Sequence, residues 1–593
     1  MQVKVSQYIA DFFVSNGIKD CFMVTGGGAM HLNDALGHEK RLRCVFNHHE
    51  QACAIAAEAY ARMTGKIAAV CVTSGPGGTN AITGVMGGWL DSIPMFVISG
   101  QVKRETTTWS VPDLKLRQLG DQEFDIIGSV SNMTKYAVMV TEPDEIAYHL
   151  EKALYLAYEG RGGPVWLDIP LDVQAALIES DELEHFAVPE SDAAAVTETL
   201  AEEIIKKIEN AKAPLILAGS GIRLSGAAKD FLRLVNKLNI PVVTAWNSGD
   251  LLAYDHRCFA GMPGTLGTRP GNFAVQNCDL LLSLGCRLNI RMIGYNFGDF
   301  AHNAEKIIVD IDPEELKKPT IKADIPVNAD VKKVISKLLF AEYVYQDKHG
   351  AWRRWCRDML DRYPAALPEY RNGKLLNPYT FMDKLSDCLK EDDRIICGNG
   401  SACVITFQAL KIKQGQRMFT NSGCASMGYG LPAALGVAVA DNSRRTVCID
   451  GDGSIMMNLQ ELATISYNRL NVKIIIINNN GYHSIRQTQR NLFDSPFIGI
   501  DGESGIGFPD FEILAKAFGI GYYRIESENA VSDIMDHVLE SDGACICEAV
   551  VDPSQNFAPK ASSKILPDGK MVSASLSDMS PFLPREELER SVY

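Results

Sequence analysis

No stretch of the 593-residue chain stays apolar for the roughly 18 residues that a membrane-spanning helix needs. The β-branched run in "NVKIIII" has the length of a buried strand. The opening residues, MQVKVSQYIADFFVSNGIKD, lack the basic flank and continuous apolar core of a signal peptide. Fifteen cysteines are scattered without a CxxC pair or disulfide-like density, so reduced thiols in a cytoplasmic protein are expected. An excess of positive charge is also missing. With 58 Lys and Arg against 73 Asp and Glu, the formal net charge is -15, which argues against nucleic acid and anionic membranes as partners. No short-period repeat or low-complexity segment stands out.

What is present is ordinary globular composition, 46% hydrophobic and 22% charged, in a chain too long for one core. Three stretches alternate short β-branched runs that end in Gly-rich turns with amphipathic helices. That rhythm predicts an α/β protein with three doubly wound parallel-sheet domains. The first, over 1–180, includes "CFMVTGGGAM", "RCVFNHHE", "IAAVCVTSGPGG", "MFVISG" and "GPVWLDIP". The second, over 190–340, holds "APLILAGSG", "IPVVTAW", "DLLLSLG" and "KIIVDIDP"; the third, over 370–552, holds "DRIICGNGSA", "RTVCIDGDGS", "VKIIIINNN" and "CICEAVV". The tail, 553–593, is rich in Pro, Ser and Lys and reads as an extended surface segment or lid.

The densest chemistry lies between Asp450 and Asn480, "DGDGSIMMNLQELATISYNRLNVKIIIINNN". Gly451-Asp452-Gly453 ends one strand, and 24 residues separate Gly453 from Asn478, where the next strand ends. In an open α/β sheet ligands sit beyond the carboxyl ends of the strands, so Asp452 and Asn479 can converge there. A carboxylate, an amide oxygen and a backbone carbonyl form a hard donor set suited to Mg²⁺ or Ca²⁺, with water and a diphosphate filling the remaining positions. The glycines let backbone N–H groups approach phosphate, and Ser454 opens a helix whose positive end faces an anion. Alone, GDG would be a tight turn; the spacing and the strand–helix–strand context favour the ligand site.

This pattern resembles the thiamine-diphosphate-dependent enzymes, whose signature is GDG, an interval of this length, then NN. The resemblance implies that Asp452, Asn479 and the Gly481 carbonyl hold the metal, with Gly451, Gly453, Ser454, Tyr482 and His483 around the diphosphate. In "RCVFNHHEQACAIAAEAYARMTGK" it makes Glu50 the acid that activates the cofactor's aminopyrimidine, although a helix-start acid is otherwise explained by the helix dipole. His48 and His49 stay open between structural and functional roles. "VTSGPGGTNAITGVMGGWLDSIPMFVISGQV" is nearest to acetolactate synthases and related carboligases, placing Thr73, Gly77 and Asn80 at the cofactor. Backbone N–H groups near Gly27 and Gly28 are expected to stabilise an oxyanion. "GDQEFDIIGSVSNMTKYAV" resembles the carboligase segment in which Gln122 and Lys135 orient the substrates. "NSGCASMGYGLPAALG" resembles the cofactor-facing loop, with Ala425 at the aminopyrimidine and Met427 supporting the bent cofactor. "GMPGTLGTRPGNFAV", "LLSLGCRLNIRMIG", "VDIDPEEL" and "NADV" resemble the flavin-binding domain, so Gly219, Ser220, Gly221, Arg291, Asp310 and Asp330 are expected at FAD.

The chain also departs from the synthases. Their "GARFDDRVTG" reads "GCRLNIRMIG", keeping Arg291 but replacing two acids with Asn289 and Ile290. Asp121 replaces a Phe, and Thr488, near Ile485, replaces the Trp that shapes the acceptor pocket. The expected acceptor side is wider and more polar, and such a site favours hydroxylated partners because its polar groups are costly to leave unpaired. The tail resembles synthase-like enzymes of sugar and polysaccharide pathways. The expectation is therefore decarboxylation of a small 2-keto acid, pyruvate, and transfer of the two-carbon unit to a second carbonyl acceptor such as a nucleotide-linked keto-sugar. Thiamine diphosphate, Mg²⁺ and FAD are the expected cofactors, in a homodimer or homotetramer. The alternatives are acetolactate synthase using two pyruvates, flavin-dependent pyruvate oxidation and an inactive cofactor-binding protein. GDG alone would also admit a metal-dependent phosphohydrolase.

Overall fold

The computed structural model describes the chain except for residues 191–195, 345 and 566–570. Three all-parallel sheets carry it. In the first, the strands run in the order Arg43–Phe46, Asp20–Met23, Ala69–Val72, Met95–Gln101, Pro164–Pro170, Tyr136–Met139. The central sheet runs Val242–Thr244, Pro214–Ala218, Leu280–Leu284, Glu305–Asp310, Ile325–Asn328. The third runs Arg417–Phe419, Arg394–Cys397, Thr446–Gly451, Val472–Asn478, Cys545–Val550, Gly521–Ile525. The first and third sheets thus share one topology, and the central sheet repeats its first four positions. In each, the chain order reverses between the second and third strands across the sheet, which opens a crevice at their carboxyl ends.

The strand sequences explain the layering. In Val472–Asn478 every residue up to Ile477 is buried, as a strand covered by helices on both faces must be, and burial ends at Asn478 where the ligand edge begins. Helices pack unusually close where the first and third units meet. Ala-rich Glu50–Thr64 lies between Pro76–Asp91 and Gly430–Ala440. A Cβ on Gly84 would stand 2.5 Å from the Ala54 Cβ, and one on Gly436 would stand 2.1 Å from the Ala56 carbonyl oxygen. The alanines and glycines are therefore what lets backbone meet backbone at this junction.

Beyond Asp552 the chain first lies against the third unit, where Phe557 is buried and the Ala558 N–H donates to the Tyr379 hydroxyl at 2.9 Å, and then along the central unit. Ala561 N–H donates to the Thr265 carbonyl, Arg269 reaches the Met579 carbonyl (3.2 Å), and Leu576 and Met579 are buried. The terminal Tyr593 ring sits 4.7 Å from that of Trp352, which is itself buried with its indole N–H on the Pro214 carbonyl. Among the described residues no helix is long and apolar enough to cross a membrane.

Gly436→Val drives three carbons into the Ala56 backbone. It is expected to lower the urea midpoint by the equivalent of about 2 kcal/mol or more; an unchanged midpoint would show that the helix contact is looser than described.

Candidate functional site

The third sheet's crevice is built from four turns. Asp452, at the end of Thr446–Gly451, is 2% exposed and accepts from the Gly453 N–H at 2.9 Å and from the Gly481 N–H at 2.7 Å. Among the described residues no cation forms an ion pair with it; burial pushes its carboxyl up to about 7, with the charge of nearby Arg486 acting the other way. Asn479, 3% exposed, donates its amide to Ser401 Oγ at 2.8 Å, while its Oδ1 is buried with no partner. Gly481 has φ +124, and a Cβ there would lie 2.1 Å from the Ile500 carbonyl oxygen, so the tight bend requires glycine. Its own carbonyl accepts from the His483 N–H at 3.0 Å and keeps a second lone pair. A buried unpaired amide oxygen beside a buried uncompensated carboxylate fits a hard divalent cation. Among the described residues no cluster of three or more His, Cys, Asp or Glu side chains is placed to hold a metal.

Further turns close on this corner. Ser454 Oγ accepts from the Gly428 N–H (3.0 Å), in the loop that carries Ala425 and Met427. A Cβ on Gly453 would meet the Tyr482 ring at 2.3 Å, so the absence of a side chain lets the two turns stack. Ala425 and Asn480 hold positive φ, +53 and +58, a conformation that non-glycine residues keep only where surrounding structure enforces it.

At the first sheet's crevice, Glu50 opens its helix behind His49, whose Nδ1 caps Gln51 N–H at 3.0 Å. Asn80 donates to Glu50 Oε2 at 3.0 Å, and a Cβ on Gly77 would meet Thr73 Cγ2 at 2.8 Å and Glu50 Oε1 at 3.7 Å. At the central sheet's crevice lies a cavity of about 1310 Å³ lined by Ser220, Gly221, Arg291, Asp310 and Asp330, and it extends to Ala425. A Cβ on Gly219 would stand 2.1 Å from the Gly285 carbonyl oxygen, so the two turns meet backbone to backbone at the reversal point. Burial raises the Asp310 carboxyl above its usual range, and the Arg291 guanidinium lies 5.8 Å over the Trp246 ring.

Comparison with known proteins decides the family. The family models for the N-terminal binding domain, the central domain and the C-terminal binding domain of thiamine pyrophosphate enzymes match 3–128, 201–338 and 398–549. The acetolactate synthase large subunit of Cyanidium caldarium is 31% identical over 567 residues, covering 93% of this chain and 94% of its own. The isozyme 2 large subunit of Escherichia coli is 31% identical over 97% of this chain and 100% of its own. A probable acetolactate synthase large subunit of Methanocaldococcus jannaschii is 32% identical over 93% of each chain. The chain belongs to the thiamine pyrophosphate enzyme family. It is a carbon–carbon bond-forming enzyme of the acetolactate synthase type, dependent on thiamine diphosphate.

Within this thiamine pyrophosphate enzyme, Glu50, Thr73, Gly77 and Asn80 come together, as do Asp452, Gly453, Ser454, Asn479, Gly481 and Tyr482. Gly451 completes the strand that aims Asp452. Other residues are placed differently from expectation. Gly28 is not an open oxyanion donor, because its N–H is given to Thr73 Oγ1 at 3.1 Å. Lys135 precedes the strand Tyr136–Met139 and so stands at the amino edge of the sheet, opposite the crevice; it pairs with Glu159 at 3.4 Å. Gln122 is exposed, with φ +62, in the loop beside Gly75, so the chain does not bring the two expected orienting residues together. His483 sets its ring edge-on against Phe557, keeps both ring nitrogens buried without a hydrogen-bond partner, and is pushed down to about 4 by desolvation. Asp330 caps the helix Val331–Phe340 through Lys332 N–H while lining the cavity. Asp121, Ile485 and Thr488 are exposed, and the Thr488 hydroxyl donates to the Ser484 carbonyl at 3.0 Å.

Sequence reasoning missed two residues that shape the corner. Arg486, 5% exposed, donates to the Asn479 carbonyl at 3.0 Å and to the Asn480 carbonyl, bracing the Asn turn from behind. Its signal was position, one helical turn after Tyr482. Asp450 is fully buried with an unpartnered Oδ2, and side chains on Gly398 or Gly430 would collide with it.

Burial lifts Asp168, Asp450 and Asp452 each to about 7. The folded protein therefore keeps protons there that the unfolded chain has released above about pH 4, and the associated stability is lost as pH rises through 7. Protein stripped of metal and cofactor should melt several degrees lower at pH 8 than at pH 5. Asp452→Asn should reduce that difference. A difference that Asp452→Asn leaves unchanged would contradict the burial of that carboxyl group.

Proposed function

We propose that the enzyme decarboxylates a small 2-keto acid, pyruvate, and joins the two-carbon unit to a polar second carbonyl compound, of which nucleotide-linked keto-sugars are the favoured class. The observation that carries the donor half is the corner formed by Asp452, Asn479 and Gly481, with its unpaired amide oxygen and uncompensated carboxylate. Those three groups would hold Mg²⁺, and the Gly453–Ser454 turn would take the diphosphate. Thiamine diphosphate, when bound, supplies the electron sink for decarboxylation and the two-carbon nucleophile. Glu50, steadied by Asn80, holds the proton at the aminopyrimidine ring nitrogen. Ala425 and Met427 would stand on the loop that faces that ring.

The polar acceptor is supported by Asp121 and Thr488, exposed at positions where the synthases carry aromatics. With its hydrogen committed to Ser484, the Thr488 oxygen still accepts, and Asp121 accepts as well, so a hydroxylated partner is matched there. Arg291, at the rim of the central cavity, suits an anionic acceptor or the flavin diphosphate. FAD fits the central cavity in size, glycine turns and flanking carboxylates, and flavin fluorescence quenching on titration measures it. A second copy of the chain would complete the site. No hydrogen bond or ion pair among the described residues joins Glu50 to the Asp452 corner, and Phe46 (52% exposed), Phe493 (60%) and Ile498 (75%) stand open on the surface.

A second reading is condensation of two pyruvates, favoured by relatives named acetolactate synthase along almost the whole chain. Proton NMR of the products formed from pyruvate alone, with thiamine diphosphate, Mg²⁺ and FAD, separates the two. Slow acetaldehyde release with little acetolactate is expected, with turnover rising on adding a keto-sugar. Abundant acetolactate would overturn the polar-acceptor proposal. Glu50→Gln should lower pyruvate turnover at least about a hundredfold; turnover at the wild-type rate would remove Glu50 from its role.

A further inference from the structure

Glu461 is buried to 0% exposure, just after the turn that carries Asp452, and it faces the first unit rather than its own. Its Oε1 accepts from the His48 N–H at 3.0 Å, and its Oε2 from the Asn47 amide at 2.9 Å and from Thr464 Oγ1 at 2.7 Å. All three donors are neutral, so a buried carboxylate is spent on holding the two residues that lead into His49 and Glu50. A second strut reaches the other side of Glu50. Asn458, also 0% exposed, donates to Gln51 Oε1 at 2.8 Å and to the Gly428 carbonyl at 2.7 Å. The chain approaching Glu50 and the residue following it are thus both tied to one short segment, Asn458 to Glu461, whose own position is set by the helical turns that follow Ser454.

From this geometry we infer that Glu461, assisted by Asn458, is a positioning residue for Glu50, fixing the entry to its helix and so the direction in which its carboxylate points. The inference rests on the reading of Glu50 as the activating acid. Packing alone gives no reason for a carboxyl group here: burying one is costly unless its hydrogen bonds return the cost, and an apolar side chain would fill the same space. A carboxylate is the one side chain of this length that offers acceptors only, as three converging donors require. Glu461→Gln keeps the volume but leaves one acceptor oxygen for the three donors, so either the Asn47 amide, whose Oδ1 has no other partner, or the Thr464 hydroxyl must turn round to accept from the new amide.

The test uses the holoenzyme and follows three quantities in Glu461→Gln: kcat against KM for pyruvate, deuterium exchange of the cofactor's C2 proton, and amide exchange of 47–51 in the protein without cofactor. The expected result is a fall in kcat and in C2 exchange on the order of tenfold, with KM and cofactor affinity near wild type. Faster exchange of the His48 amide should accompany it. Glu461→Asp, which keeps the acceptors, should recover part of the loss. If Glu461→Gln fails to fold, Gln51→Ala, which cuts the second strut at a half-buried side chain, should show the same pattern in weaker form. C2 exchange at the wild-type rate in folded Glu461→Gln overturns the inference, provided that Glu50→Gln suppresses it. C2 exchange surviving in Glu50→Gln instead overturns the reading of Glu50 itself. A loss confined to melting temperature, with kcat and C2 exchange unchanged, would make Glu461 purely structural and also overturn the inference.

Discussion

A carboxylate taken out of water with no ion-pair partner among the described residues is the constraint on which the third unit is organised. Asp452 keeps two backbone N–H groups on its oxygens, and burial holds it near the neutral form. Around it the chain accepts a positive φ at Asn480, a glycine-only bend at Gly481 and an amide oxygen with no partner at Asn479. Each feature costs stability in the isolated chain, and a divalent cation would relieve two of them, the unpartnered amide oxygen and the buried carboxylate. Arg486 keeps the arrangement from relaxing, because it holds the carbonyls of Asn479 and Asn480 from the far side and leaves Asn479 Oδ1 facing the corner.

The same physics operates three times. Each sheet reverses its strand order between its second and third strands, and beside each reversal a glycine meets the facing chain with no room for a Cβ: Gly28 against Ser74 and Thr73, Gly219 against Gly285, Gly398 against the Asp450 carboxylate. The three crevices differ in what lines them. The first offers an acid steadied by an amide, the second a large cavity with arginine and aspartate at its edges, and the third an oxygen donor set. Function on this architecture is a matter of which side chains stand at the carboxyl edge.

The α/β class and the three parallel sheets were legible because β-branched runs ending in glycine turns carry the period and the punctuation of that fold. The Asp452–Asn479 corner was legible because both residues end adjacent strands, so topology alone brings them together. Lys135 was not, since its motif gives its neighbours in sequence but not that it begins a strand and therefore stands at the opposite edge. The occupied N–H of Gly28 was hidden for a related reason: Thr73, 45 positions away, takes it. Asp450, Asn458 and Glu461 act on glycines, amides and carbonyls distant in sequence, and single positions reveal nothing of such partners before the fold is known; Arg486 acts on carbonyls only six and seven positions back, through a turn whose shape the sequence does not display. Asp450 stood beside the motif, yet its role depends on the side chains that Gly398 and Gly430 do not have.

Calorimetric titration of thiamine diphosphate into metal-free protein, with and without Mg²⁺, for the wild type and for Asn479→Leu, tests the central claim most directly. The account predicts that wild-type binding depends on Mg²⁺ and that Asn479→Leu, which removes the unpartnered oxygen while filling its space, loses most of that dependence without loss of folded protein. Equal affinity with and without Mg²⁺ in the wild type, or full Mg²⁺ dependence in Asn479→Leu, would contradict it.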